Sequence, residues 1–284
     1  MAFKRSGVRF SYAPLKSLSD QSEGDFSYFI SQNNLILDLI PHFYNQVQKY
    51  YIGTMFSDLL KYDMGAGVEA FTAGRDSRLP YPVIQGHQVH GCKVAVIDRP
   101  GMTREDLEGF DAFVTDLPEV AIGVRTADCV PVLLYDPVRR VVAAVHSGWK
   151  GTVLHISQKA IDLMERRFRC SVGHMRAVIG PAIGPDSFQV GEEVVARFKD
   201  SGFPMERIWS FRGTGDGTPM SGGHHVDLFE ANRWLLEEAG VPSGNVQVFG
   251  IDTYTDGSFF SARREGIQCG RNINSIKLSL NSCL

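Results

Sequence analysis

The sequence predicts an α+β fold with mixed β-sheets. Three observations carry that prediction. Short apolar runs of strand type outnumber amphipathic runs of helix type. Some strands adjoin through tight turns, while others are separated by helices. No segment repeats along the chain.

The first 54 residues stand apart. "SLSDQSEGDFS" is polar loop, and "YFISQNNLILDLIPHFYNQVQKYYIG" has apolar clusters broken by Pro41, enough for two short helices at most. Residues 1–54 are therefore expected to form an N-terminal extension, and residues 55–284, opening at Met55, the functional domain. Strands are expected in "VEAFT", "PVIQGHQVHG", "KVAVID", "DAFVTD", "AIGVRT", "MRAVIG", "NVQVFGID" and "FFSARRE", and in a hairpin spanning residues 129–146. Helices are expected in "TVLHISQKAIDLMERRF", "GEEVVARFKDSG" and "DLFEANRWLLEEAG". The last has Asp227 as N-cap and Gly240 as the residue that ends it. "RGTGDGTPMSGGHHVD" (212–227) is expected to be a long glycine-rich surface loop.

Composition narrows the partners. At 284 residues the chain can bury a sizeable core as one large domain or two smaller ones. A net charge of −3 gives no electrostatic case for nucleic acid or an anionic membrane, and no apolar run approaches the roughly 20 residues of a membrane span. The start has basic residues but no apolar core or cleavage site of a signal peptide. The five cysteines (92, 129, 170, 269, 283) are widely spaced and never in CxxC, so neither a disulfide framework nor a zinc finger is expected, and a reduced, cytoplasmic protein is.

The hairpin "TADCVPVLLYDPVRRVVAAVHSGWKG" (126–151) carries the chemistry. Asp136-Pro137 suits a type I turn, and a turn centred between Pro137 and Val138 puts Cys129 directly opposite His146. Opposed residues share a face with Cβ atoms roughly 4.5–5.5 Å apart. That spacing fits a shared metal ion, a thiolate–imidazolium pair, or a buried thiol beside a hydrogen-bonded histidine. Upstream, His87 and His90 in "QGHQVHG" would point to opposite faces of a strand, so only one can join a site; Gly91 permits close approach of another backbone.

"QVHG", "RTADCVPVLLYDP", "HSGWKGT", "IGPAIGPDSFQVGEEV" and "FFSARREG" together resemble the laccase-domain family, over the stretch from about Met55 onward. Its members were once called multicopper polyphenol oxidases and are now described as purine nucleoside phosphorylases. The resemblance implies a layered α/β/β/α sandwich similar to the catalytic domains of bacterial deamidating toxins. It implies a metal site of His90, Cys129 and His146, the same Cys–His pair that the hairpin brings together. It further implies a zinc-dependent phosphorylase for the adenosine, inosine, guanosine and methylthioadenosine class, with adenosine deaminase activity, whose partners are purine nucleosides and phosphate. The sequence departs from the family after "IGP" (Asp186-Ser187-Phe188) and near the last strands (Asp252-Thr253-Tyr254). The family's "TRxGG" reads "TAGRDSRLPYP" here, so Arg75, or else Arg78, matches its arginine.

Two imidazoles and a thiolate leave a fourth tetrahedral position open, as in catalytic zinc sites. Zinc there would acidify water for deamination at C6 of adenine. Phosphorolysis also needs phosphate held beside the ribose, by arginine forks or a helix N-terminus. Arg75, Arg263 and Arg264 are candidate forks; a strand would point Arg263 and Arg264 to opposite faces, so at most one of them serves the site, and Arg263 is favoured. Lys150 in "SGWKGT" precedes a helix and is a candidate anion contact. Asp128 would point away from Cys129 along a strand unless a bulge re-aims it, and Trp149 is expected to cover the core. Two alternatives use the same residues: a metal-free hydrolase or deamidase with Cys129 as nucleophile and His146 as base, and a copper-dependent polyphenol oxidase. The last is disfavoured, since one N/N/S site lacks the several coppers needed for four-electron oxygen reduction.

Overall fold

The computed structural model describes residues 59–213 and 222–280. The expected extension at 1–54 and residues 214–221 of the glycine-rich loop lie outside them. The chain runs β1 (Leu59–Tyr62), β2 (Val68–Ala73), β3 (Val94–Val96), β4 (Ala112–Thr115), β5 (Ala121–Thr126), β6 (Val130–Asp136) and β7 (Val141–Ser147). Then follow α1 (Trp149–Val153), α2 (Ile156–Phe168), β8 (Arg176–Ile179), β9 (Gln189–Val190), α3 (Glu192–Asp200), α4 (Met205–Ile208), β10 (Trp209–Arg212) and β11 (Gly223–Val226). The chain closes with α5 (Leu228–Glu238), β12 (Val246–Val248), α6 (Ala262–Glu265) and β13 (Asn272–Leu278).

Three sheets form. A mixed six-stranded sheet has the order β12-β8-β6-β7-β4-β3, with β12/β8 and β3/β4 parallel. An antiparallel four-stranded sheet runs β1-β2-β13-β5, and a small one runs β10-β11-β9. Every residue of β6 and β7 is buried, which is why these strands read as nearly continuous apolar runs. Their side chains still alternate. Val130, Val132, Leu134, Val141, Ala143 and Val145 join one core with α2 and α5, through Ile161, Met164 and Leu235. Leu133, Tyr135, Val142 and Ala144 join a second core with Phe113 of β4 and with Ile122 and Ile276 of the four-stranded sheet. Among the described residues the layers are thus helix, sheet, sheet. On the four-stranded sheet, Tyr81 from the coil after β2 packs on Phe71, with the Lys277 ammonium over its ring. Cutting Phe113 back to alanine between the two sheets would cost roughly 3–5 kcal/mol.

Four local expectations are corrected. First, the β6/β7 turn is centred between Val138 and Arg139, one residue later than expected. The Asp136 carboxylate accepts the amides of Val138 and Arg139 at 2.8 and 2.9 Å, and Arg140 adds a left-handed residue (φ 54°). Asp136 therefore pairs with Val141, and His146 lies opposite Pro131 rather than Cys129. Second, "PVIQGHQVHG" is coil with isolated bridges at Ile84 and His87, not a strand. Third, "TVLHISQKAIDLMERRF" breaks at His155 (φ 57°), which separates α1 from α2. Fourth, "FFSARRE" turns into α6, because the Ser261 hydroxyl accepts the Arg264 amide at 3.2 Å and caps a helical turn. The end of the glycine-rich loop forms β11. Asp227 caps α5 by accepting from the Glu230 amide at 2.9 Å, and Gly240 ends it at φ 100°. Among the described residues no helix is long and apolar enough to cross a membrane.

Candidate metal centre

At the open end of the sheet pair, the ligating atoms of His90, Cys129 and His146 lie within 4.8 Å of one another. The two-residue slip in hairpin register preserves this meeting. A shift by two keeps side chains on the same face, so Cys129, just beyond β6, becomes a diagonal neighbour of His146. Asp128 ends the strand at φ 83°. Its carboxylate turns away to accept from Thr253 Oγ1 at 2.7 Å and from the Arg263 amide at 2.6 Å, so it ties two loops together beside the site. His90 comes from the coil before β3, and its ring stands edge-on to that of His146, with centroids 4.9 Å apart.

Asp111, which the sequence did not single out, organises both histidines. It immediately precedes β4 and continues that strand's register with β7, so its carbonyl accepts the His146 amide at 2.8 Å. Its carboxylate Oδ1 accepts His146 Nδ1–H at 2.8 Å and the His90 amide at 2.9 Å. Oδ2 accepts the Gly91 amide at 2.8 Å and the Val89 amide at 3.3 Å. Three successive amides around one carboxylate hold His90 in a left-handed conformation (φ 59°) that a non-glycine residue adopts only at some cost. Gly148 is required for a different reason. A Cβ there would sit 2.8 Å from Cys129 Sγ and 3.4 Å from His90 Cδ2.

The electrostatics suit a soft cation or a reactive thiol. Burial opposes ionisation of Cys129, but the charge and hydrogen bond of His146 outweigh it and bring the thiol down to about 6. Burial likewise opposes a charged His146, and Cys129 and Asp111 together raise it to about 9. With His146 Nδ1 held by Asp111, Nε2 is left for Cys129 or a metal. Two imidazoles, one thiolate and a carboxylate bracing one imidazole fit a zinc site with an open position for water or substrate.

A cavity of about 690 Å³ opens over His90 and His146. Arg104, Arg125, Arg271, His87 and Gln88 are among its lining residues. Arg75, Lys150 and Arg263, expected from the sequence as substrate contacts, are not among the residues that line this cavity. Arg75 bonds Glu265 at 2.5 Å and stacks on Phe260. Arg263 reaches the carbonyls of Ser187 and Gln189. Arg264 gathers the carbonyls of Thr253, Tyr254, Asp256 and Phe259. Lys150 is exposed, with its ammonium over Trp149, and α1 is a single short turn rather than an anion cradle. Trp149 packs against the helical core, as expected. Arg125 opens the motif "RTADCVPVLLYDP", whose chemistry the sequence places on Cys129, while Arg104 in "MTRED" and Arg271 in "CGRNI" lie in none of the quoted motifs; the fold gathers the three at the cavity.

The family model described as multi-copper polyphenol oxidoreductase laccase matches residues 71–279. The chain is 45% identical over 176 residues to the purine nucleoside phosphorylase of Bacteroides thetaiotaomicron, which covers 62% of this chain and 63% of that one. It is 40% identical over 201 residues to adenosine deaminase RL5 of an unknown prokaryotic organism, covering 68% and 74% of the two chains. The crystal structure of Bacillus licheniformis hypothetical protein YfiH is similar at a TM-score of 0.65 and 28% identity, over 75% of this chain and 93% of that one. The match runs from β2 to the end of β13 and contains all three donor residues, and the protein belongs to the multi-copper polyphenol oxidoreductase laccase family.

Proposed function

We propose that the protein is a zinc-dependent purine nucleoside phosphorylase that also deaminates adenosine. The carrying observation is the convergence of His90, Cys129 and His146, two of which, His90 and His146, line a basic cavity. Relatives named purine nucleoside phosphorylase and adenosine deaminase support it. His90, Cys129 and His146 would hold the metal. When bound, zinc in such a donor set acts as a Lewis acid that brings the pKa of a water toward neutrality. Asp111 fixes His146 with its proton on Nδ1 and sets the His90 backbone, so both rings are ordered before substrate arrives. The cavity holds the nucleoside, with adenosine, inosine, guanosine and methylthioadenosine as its substrate class. Residues 55–284 form the catalytic domain, and the four described cysteines, all outside disulfides, suit a cytoplasmic protein.

A second function is favoured by one observation. The lowered Cys129 thiol, with His146 in turn braced by Asp111, is the arrangement of a thiol hydrolase or deamidase, the chemistry of the deamidating toxins that the fold is expected to resemble. Copper-dependent phenol oxidation is less well supported, since one donor cluster is formed among the described residues. Incubating the protein with inosine, with and without inorganic phosphate, separates these activities. The proposed one gives hypoxanthine and ribose 1-phosphate only when phosphate is present, and converts adenosine to inosine. Base release that ignores phosphate contradicts the phosphorylase.

A further inference from the structure

The lining of the cavity over His90 and His146 is one-sided in charge. Arg104, Arg125 and Arg271 line it, no aspartate or glutamate does among the described residues, and His87 on the same wall is paired with Glu108 at 2.6 Å. Arg125 is half-buried near the end of β5. The Gln88 amide clamps its backbone on both sides, donating to its carbonyl at 2.9 Å and accepting from its N–H at 2.8 Å. Its guanidinium has no hydrogen bond or ion pair among the described residues. Arg271 is held in place by the carbonyls of Ile267, Cys269 and Gly270, which leaves its Nε–H for another acceptor. Arg104 stands exposed at the rim.

A half-buried guanidinium without a counter-charge is unfavourable, and two more guanidinia nearby make it worse. Burial and those two neighbours hold Arg125 below the ordinary arginine value. An anion relieves this, and a phosphate dianion matches both the charge and the fork geometry of arginine. We infer that Arg125 and Arg271, with Arg104 at the rim, form a phosphate-binding subsite beside the His90–Cys129–His146 cluster. The inference rests on the cavity being the site of phosphorolysis. There, a phosphate oxygen bonds to C1′ as the C1′–N9 bond breaks. The bonding pair leaves with the base, and the proton of hydrogen phosphate ends on the base. The phosphate group is either inorganic phosphate, which we expect, or the 5′-phosphate of a nucleotide.

Calorimetric titration of inorganic phosphate and, separately, of inosine 5′-monophosphate into the zinc-loaded full chain tests the subsite. Arg125→Ala and Arg271→Ala should weaken phosphate binding about 10- to 100-fold, as expected for a lost charge-assisted contact. Arg125→Lys, which keeps the charge but not the fork, should recover part of it. Melting temperature and zinc content of each variant report whether it is folded. Nucleotide binding that depends on Arg125, without inorganic phosphate binding, would make an esterified phosphate the occupant of the same subsite. Failure of the wild type to bind either ligand at millimolar concentration overturns the inference, as do folded variants that bind both as well as the wild type. Phosphate binding that depends on Arg125, with no base release from inosine, leaves the subsite standing and removes the phosphorylase. Phosphorolysis with an unchanged KM for phosphate in the variants does the reverse.

Discussion

Asp111 and His146 are neighbours across the β4/β7 pair, and the Asp111 carboxylate accepts the His146 Nδ1 proton at 2.8 Å. Because the same carboxylate gathers the amides of Val89, His90 and Gly91, one side chain sets both imidazoles of the candidate centre.

Asp111→Asn removes the charge while nearly keeping the shape. Zinc affinity should fall about 10- to 100-fold, as for other partners that orient a metal-binding histidine. Competition with a chromophoric chelator measures it. An unchanged affinity would reduce Asp111 to a packing role.

Gly148 lies against Cys129 for lack of a side chain. Gly148→Ala should push Cys129 Sγ out of the cluster and destabilise the fold by about 1–3 kcal/mol, the usual penalty of overpacking. Gly244→Ala is the control, since a Cβ there meets nothing within 4 Å. Zinc titration and thermal melts of both variants decide it. Equal zinc binding by both would show that the close approach of Gly148 to Cys129 does not matter.

The lowered Cys129 thiol has a direct pH signature. Its thiolate should persist as pH falls from 9 toward 7 and disappear as pH passes through about 6. After chelation, iodoacetamide alkylation of Cys129, followed by peptide mass spectrometry, should therefore be half-maximal near pH 6. Cys170, pushed up to about 12 by burial and by Asp136, should stay unreactive throughout. A Cys129 midpoint near the ordinary thiol value of about 8.5 contradicts the ion pair.

How much of this was legible depended on the range of the interaction. The meeting of Cys129 and His146 could be read because an even slip in register leaves side chains on the same face. The slip itself could not, because it depends on Asp136 accepting two turn amides and on Arg140 turning left-handed. The Asp227 cap and the Gly240 stop were legible because they act within one helix. Asp111 was not, because a lone aspartate before "AFVT" gains meaning only when β4 docks on β7. The surroundings of the motif arginines were not legible for a related reason. Arg75 and Arg264 share Glu265, and Arg263 and Arg264 staple loop carbonyls, so their motif supports the fold beside the site rather than lining the cavity.

The described elements begin at Leu59. A chain starting at Met55 should fold, bind zinc and keep the activity of the full chain. Circular dichroism and zinc titration of the truncated protein check it. Insoluble or metal-free truncated protein would assign residues 1–54 to the catalytic unit.

Elemental analysis of the purified full chain, beside its Cys129→Ser variant, tests the metal centre most directly. The donor set predicts about one zinc per chain in the wild type. It predicts loss of that zinc, and of turnover with it, when a neutral hydroxyl replaces the soft thiolate. Full zinc and full turnover in Cys129→Ser, or several coppers in the wild type, would contradict the account.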